Sequence, residues 1–376
     1  MNFGLSESQR ILKDSARKFF SIECPIPEVR RIMETSDAYD QALYTKLAEQ
    51  GFTGIIFPEQ YGGLGLGKVE MVVLLEEMGR AMLPGPYFSS AILAGSIINE
   101  AGDENQKSRY LAPIADGTKR ATLAFVEEQG SWSPDSIQLQ AHGTKLTGTK
   151  LFVTDAAVAD TIIVATRDQL LAVDAKAPGV TITPMPSMDL TRPIYSVQLN
   201  NAEGELLNGH APKALRNGLN IAEVALAAEL TGGMQRGMEI SVEYAKTRKQ
   251  FGKPIGGYQA VQHQCADMYF FTEGSRSSAL YAAWALDNKA PDAQKAVAIA
   301  KMYASDSGRE VGNRTIQVHG GMGFTWENDC HLYYRRAKAS EVMLGDAAYH
   351  RERIATMIID TVEVSSGTLE EAFALD

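Results

Sequence analysis

The sequence predicts an α+β fold, mainly α, in which a small β unit sits between two helical regions. Three observations carry this expectation. Apolar residues recur at helical spacing through the first hundred or so positions, short Ile-, Val- and Thr-rich segments parted by turn residues run from Ala121 to Asn200, and helical periodicity returns from about residue 210. The units fall at 1–119, 120–208 and 209–364, with a polar, acidic tail over 365–376. A chain of 376 residues has room for two to three domains at roughly 150 residues each. The interleaving favours three.

Apolar residues make up 45% of the chain and charged ones 22%, enough to fill a core and too apolar for a disordered chain. Lys and Arg number 36 against 46 Asp and Glu, a net charge of −10 and the wrong sign for neutralising a phosphate backbone. Nucleic acid is therefore not an expected partner. Cys24, Cys265 and Cys330 are few, odd in number and scattered, which fits free thiols in a reducing compartment. The start, Met1-Asn2-Phe3-Gly4-Leu5-Ser6, lacks the basic and apolar regions of a signal peptide. No stretch reaches the roughly 18 uncharged apolar residues of a membrane span. These features predict a soluble, cytoplasmic protein.

In order along the chain, Ser6 and Gln9 form a capping-box pattern, after which Leu12, Ala16, Phe19 and Phe20 share one helical face. Val69 to Met82 repeats the pattern with Val72, Val73, Leu75 and Met78 around Glu76 and Glu77. Between them, Pro58 and the glycines of Tyr61-Gly62-Gly63-Leu64-Gly65-Leu66-Gly67 force a turn. Strands are expected at Ile137 to Ala141, Lys150 to Thr154, Thr161 to Thr166, Val180 to Thr183 and Ile194 to Leu199. Later, Met234, Met238, Ser241, Val242 and Ala245 mark a buried helical face, and Gln294 to Thr315 continues for more than five turns without proline.

Of the chemical candidates, a metal site is not expected. His263 with Cys265, and Cys330 beside His331, lack the spacing of structural zinc ligands. Gly63-x-Gly65-x-Gly67 and Gly320-Gly321-x-Gly323 match neither the dinucleotide fingerprint nor the P-loop, and no Gly-x-Ser-x-Gly is present. Two segments stand out. Arg248-Lys249-Gln250-Phe251-Gly252-Lys253-Pro254-Ile255 breaks a long helix with a cationic bend, and Gln317-Val318-His319-Gly320-Gly321-Met322-Gly323-Phe324 ends another. By residue type the first is an anion-binding corner or a solvated turn, and both readings stay open.

Together these segments resemble the acyl-CoA dehydrogenase family over nearly the whole chain. The strongest points are Tyr244-Ala245-x-x-Arg248-x-Gln250-Phe251-Gly252-Lys253-Pro254-Ile255 followed by Gln259, and Gln317-x-x-Gly320-Gly321-x-Gly323-Phe324 followed by Arg335-Arg336-Ala337-Lys338; Pro58-Glu59-Gln60-Tyr61-Gly62-Gly63 also matches. The resemblance implies an amino-terminal helical domain, a middle β-barrel-like domain and a carboxy-terminal four-helix bundle. It implies FAD as cofactor, an acyl-CoA as substrate, an oligomer, and an electron-transfer flavoprotein as acceptor. Arg248, Phe251, Gln259, Gln317, Gly320 and Gly321 are then expected to reach a neighbour's FAD across the subunit interface, while Phe152 and Thr154 stand where the chain's own flavin is supported. In the family reaction a carboxylate removes a proton next to the thioester carbonyl, and a hydride leaves the next carbon for the flavin.

The pattern breaks at the base. Members carry a Glu either shortly after the Ala-Lys segment or on the earlier helix, and those positions hold Leu344 and Ala222 here. Asp346 and Glu223 are the nearest carboxylates. A one-residue step turns a helical side chain by about 100°, so Glu223 is expected to point elsewhere, and both are expected to be solvated or ion-paired. The flavin-lining loop also departs from the family's Thr-Glu-Pro and Gly-Ser-Asp, reading Phe125-Val126-Glu127-Glu128-Gln129-Gly130-Ser131-Trp132-Ser133. The expectation is a subunit of an FAD-dependent acyl-CoA dehydrogenase that pairs with a catalytic second subunit and completes its FAD site. The alternative is a homo-oligomer, active alone, that uses Asp346 or Glu223 as an unusual base. Members that resemble this chain in lacking a base act on bulky acyl-CoAs such as steroid side chains or dicarboxylic acids.

Overall fold

Ser6 caps the first helix as its sequence predicts: its hydroxyl accepts from Gln9 N–H while the Gln9 side chain accepts from Ser6 N–H. The computed structural model describes residues 4–359, so the predicted tail at 365–376 lies outside the described residues. The amino-terminal unit contains α1 (Glu7–Glu23), α2 (Ile26–Met33), α3 (Gln41–Glu49), α4 (Lys68–Ala81), a π-helical stretch (Tyr87–Ala94) running into α5 (Gly95–Ala101), and α6 (Glu104–Ala115). On α1, Ala16 and Phe20 are buried and Leu12 and Phe19 pack beside them.

The charges of α4 explain how it lies buried with two adjacent carboxylates. Glu77 accepts from Arg17 at 2.8 and 2.9 Å, and Glu76 accepts from Lys13 at 2.9 Å and from Arg276 at 3.1 and 3.2 Å. Left unpaired, such groups would cost several kcal/mol. On its other side α4 crosses α7 (Ala211–Thr247) at backbone contact. A Cβ on Gly79 would meet the Glu229 carbonyl oxygen at 1.9 Å, and one on Gly232 would meet that of Glu76 at 1.8 Å. Glycine on each helix permits the crossing.

The middle unit is two four-stranded sheets. One has the order β1 (Ala121–Ala124), β4 (Thr161–Ala165), β5 (Leu170–Asp174), β8 (Glu205–Leu206), with β1 parallel to β4 and the other pairs antiparallel. The other has the order β2 (Ala141–His142), β3 (Lys145–Thr154), β7 (Ile194–Glu203), β6 (Val180–Met185), all antiparallel. Their facing residues, among them Leu146, Val153, Ile162, Val164, Leu171, Val173 and Val197, share one apolar core. The strand expected at Ile137 to Ala141 is mostly irregular, and only Ala141 and His142 pair. The amides of Gln138 and Leu139 instead donate to the Glu127 carboxylate at 2.9 and 3.0 Å, which takes them out of any ladder.

Beyond α7 and a two-stranded hairpin, β9 (Lys249–Gln250) and β10 (Lys253–Pro254), come α8 (Gln259–Asp287), α9 (Ala293–His319), α10 (Cys330–Val342) and α11 (Ala347–Ile359). Helices α7 to α10 pack on one another, and α11 lies along α9. No helix among the described residues is long and apolar enough to cross a membrane. Cys330 Sγ faces the Gly323 carbonyl at 3.5 Å, while His331 stacks on Trp326 and contacts its carbonyl oxygen.

Candidate functional site

Two corners meet at one end of the helical bundle. Tyr244, in the last turn of α7, stacks on His319, the last residue of α9, with ring centroids 4.5 Å apart. That contact sets the bend at 248–255 beside the turn at 320–324. In the hairpin, Phe251 and Gly252 both have positive φ, +51° and +84°, the arrangement of a tight I′-type turn. Phe251 is 92% exposed, so a non-glycine residue accepts a left-handed backbone while its ring gains almost no packing from its own chain. Arg248, Gln259 and Gln317 are also exposed. Their side chains have no hydrogen-bond or ion-pair partner among the described residues.

Gly320 has φ +59° and ψ −137°, a conformation essentially reserved for glycine. Gly321 has no such constraint, yet a Cβ there would meet nothing within 4 Å. Nothing within the chain requires glycine at 321; an approaching external backbone or phosphate would. The guanidinium of Arg248 and the open glycine turn fit an anionic group such as a pyrophosphate.

A second locus lies where the β unit meets α10. Phe152 sits at an irregularity of β3 with φ +55°, where pairing with β7 slips between Lys150 and Val153. Its ring is 38% exposed. Phe152 and Thr154 line a cavity of about 280 Å³ with Met188, Arg192, Lys338 and Met343. Trp132 also lines this cavity, and it lines a second one of about 300 Å³ bordered by Leu219, Glu223, Tyr349 and Arg353. Sequence reasoning gave Trp132 no role of its own; a lone indole in Gly130-Ser131-Trp132-Ser133, otherwise small residues, was the available signal.

The two positions that the resemblance assigns to the family's base are buried and bear no carboxylate. Ala222 is 0% exposed and Leu344 2%. Leu344 and Gly345 form a left-handed turn, φ +60° and +95°, clamped by two basic side chains. The Leu344 carbonyl lies 3.0 Å from His350 Nε2, and the Gly345 carbonyl accepts from Lys301 Nζ at 2.8 Å. Lys301, fully buried, also donates to Ser305 Oγ at 2.8 Å and to the Ser340 and Glu341 carbonyls at 3.2 Å. Burial pushes its ammonium down to about 7, against the pull of Glu223, Asp346 and Glu341.

Glu223 turns toward α11, where both its oxygens accept from Arg353 at 2.8 Å. Burial raises its carboxyl above the ordinary range, and Arg353 offsets part of the rise. Asp346 is exposed and caps α11, accepting from Tyr349 N–H at 2.8 Å. Each nearby carboxylate is thus engaged elsewhere. Lys301, His350 and Arg353 escaped the sequence reading, although a lysine inside Ala298-Ile299-Ala300-Lys301 is the mark of a buried cation.

Comparison with known proteins agrees with these motifs. Models of the acyl-CoA dehydrogenase N-terminal and C-terminal domains match residues 6–118 and 213–359. The probable acyl-CoA dehydrogenase YngJ of Bacillus subtilis is 30% identical, covering 96% of this chain and 100% of its own length. The chain belongs to the acyl-CoA dehydrogenase family. Its members are FAD-binding oxidoreductases acting on CH–CH bonds. Among solved structures, a steroid acyl-CoA dehydrogenase variant, Tcur3481–Tcur3483, superposes with a TM-score of 0.87 at 31% identity, covering 94% of this chain and 98% of that one. The ChsE4–ChsE5 complex from Mycobacterium tuberculosis gives 0.88 at 28% identity, with 96% and 100% covered.

Proposed function

We propose that this chain is a subunit of an FAD-dependent acyl-CoA dehydrogenase that pairs with a catalytic second subunit and completes that partner's FAD site. One observation carries the reading: the positions that the resemblance assigns to the base hold buried Leu344 and Ala222, while the corner of Arg248, Phe251, Gln317, Gly320 and Gly321 stands exposed, with the Arg248 and Gln317 side chains lacking a partner among the described residues. When bound, FAD supplies the hydride acceptor for desaturation of the acyl thioester. This chain's part is to bind and orient. Arg248 presents a planar cation to the pyrophosphate, the Gly320–Gly321 turn lets it approach the backbone without a Cβ in the way, and Gln259, Gln317 and Phe251 flank them. Proton removal falls to the partner, because a leucine and an alanine take no proton.

Tcur3481–Tcur3483 and ChsE4–ChsE5 are both named as paired chains, which supports a heteromer, and the first is a steroid acyl-CoA dehydrogenase, which supports a bulky acyl-CoA substrate. An electron-transfer flavoprotein is the acceptor the family resemblance implies; the cytoplasm as compartment rests on the three scattered cysteines, which suit a reducing environment.

The test is to purify the chain alone and co-expressed with the family member encoded nearest to it on the genome, measuring flavin per chain and bleaching by acyl-CoA. Flavin and bleaching are expected with the pair, and Arg248→Ala should lower flavin retention in it. A chain that alone binds FAD and bleaches it overturns the reading in favour of an independent homo-oligomer. Unchanged retention in Arg248→Ala removes the cross-subunit role.

A further inference from the structure

We infer that Trp132 is a partition that closes this chain's own flavin cleft, an inference that rests on the reading that its FAD contacts serve a partner. The indole lines both cavities, the one of about 280 Å³ at Phe152 and Thr154 and the one of about 300 Å³ at Glu223 and Arg353. Each lies at the bottom of the size range of ligand sites, about 300–1,000 Å³. The indole thus borders both the cavity at Phe152 and the cavity at Glu223.

The ring is held from both sides. Its centroid lies 5.7 Å from that of Phe125, and 6.4 Å from that of Phe152 with the two planes 37° apart. Phe152 is the aromatic residue expected to support the flavin, and here its neighbour is an indole. Aromatic contacts of this kind add stability beyond the area they bury.

The loop that carries Trp132 is clamped at its base. Glu127 accepts from Gln138 N–H and Leu139 N–H, and from Lys150 Nζ at 2.7 Å. Lys150 is fully buried and also donates to the Phe125 carbonyl at 3.2 Å. Within the loop, Gly130 N–H donates to the Glu127 carbonyl at 2.9 Å, Gln129 Nε2 to the Ser136 carbonyl at 2.8 Å and Ser136 Oγ to the Ser133 carbonyl at 2.7 Å. Swinging the indole out would disturb a loop whose two ends meet on one buried ion pair. The partition is part of the fold.

The experiment uses the full chain, alone and in the co-expressed pair, with FAD and riboflavin as probes. Flavin per chain is measured by absorbance after desalting. Trp132→Ala and Trp132→Ser are each expected to raise flavin per chain over wild type, in the pair as well as alone. Unchanged flavin content in both folded variants overturns the partition. A second measurement needs no change at the site. With Trp284→Phe and Trp326→Phe, Trp132 is the sole remaining indole of three, and riboflavin is expected to leave its emission without saturable quenching. Saturable quenching overturns the partition. Arg248→Ala in the pair reads the underlying function separately: flavin loss there beside inert Trp132 variants sinks the partition alone, whereas no loss there sinks the partner-serving reading itself.

Discussion

His350 joins the Glu223–Arg353 pair to the turn at Leu344. Its Nε2 lies 3.0 Å from the Leu344 carbonyl and its Nδ1 3.2 Å from Arg353 Nη1, which requires a neutral ring that donates at one nitrogen and accepts at the other. Burial, then the nearby charges of Lys301 and Arg353, push it down to about 3 from an ordinary 6.5. Between those values the unfolded chain binds the proton that the folded chain refuses, so His350 costs stability as pH falls through the window. His350→Gln keeps a donor and an acceptor but does not titrate. At neutral pH it is expected to lose about 1 kcal/mol, and the gap between wild type and variant should shrink as pH drops from about 6.5 toward 4. Urea unfolding of both proteins at several pH values checks this. A gap that is constant or widens toward acid would show that His350 is not buried neutral.

At the scale of elements, α9 and α10 meet through Lys301, whose ammonium gathers the carbonyls of Ser340, Glu341 and Gly345 at the carboxy-terminal end of α10. A cation there also suits the negative end of the helix dipole. Lys301→Met keeps the apolar stem and strands those oxygens, at an expected cost on the order of 3 kcal/mol in denaturant unfolding; a loss of a few tenths would mean that water replaces the ammonium. Amphipathic elements were legible in the sequence: the capping box of α1 and the alternation of Tyr195, Val197 and Leu199 in β7 stand as read, whereas α4, expected to bury one face, is buried all round from Met71 to Gly79 with Glu76 and Glu77 included. Of the strands buried on both faces, β4 was read from its β-branched run, but two others were not. Ala121–Ala124 and the Leu170–Val173 stretch show no alternation because both faces are covered. The corner proposed for the cofactor was open to sequence reading because its residues sit in two short, contiguous motifs. The clamps around Leu344 and Trp132 were not, since Lys301, His350, Arg353 and Lys150 come from distant elements and meet only in the fold.

Across the whole molecule, one guanidinium touches all three units. Arg336 on α10 hydrogen-bonds Asp189 and Thr191 from the loop before β7, Glu229 on α7, and the Leu83 carbonyl at 3.2 Å from the amino-terminal unit. Arg192 in the same loop accompanies it, donating to both oxygens of Glu229 at 2.6 and 2.7 Å. All four charged side chains are buried, so each depends on the others for its solvation. Burial opposes ionisation of Asp189 and Glu229, yet the two arginines outweigh it and hold both carboxyls below the ordinary range. The cluster borders the cleft as well, because Arg192 lines the cavity at Phe152. Arg336→Met removes the shared cation and leaves Asp189 and Glu229 with one arginine between them. The expected cost is about 3–5 kcal/mol, read as a fall in thermal midpoint together with faster proteolytic nicking in the 186–192 loop. Arg336→Lys restores the charge without the planar fork that reaches four partners, and should recover only part of the loss. Full recovery by lysine would mean that charge alone joins the units; nicking unchanged in Arg336→Met would mean that the β unit is held by its other contacts.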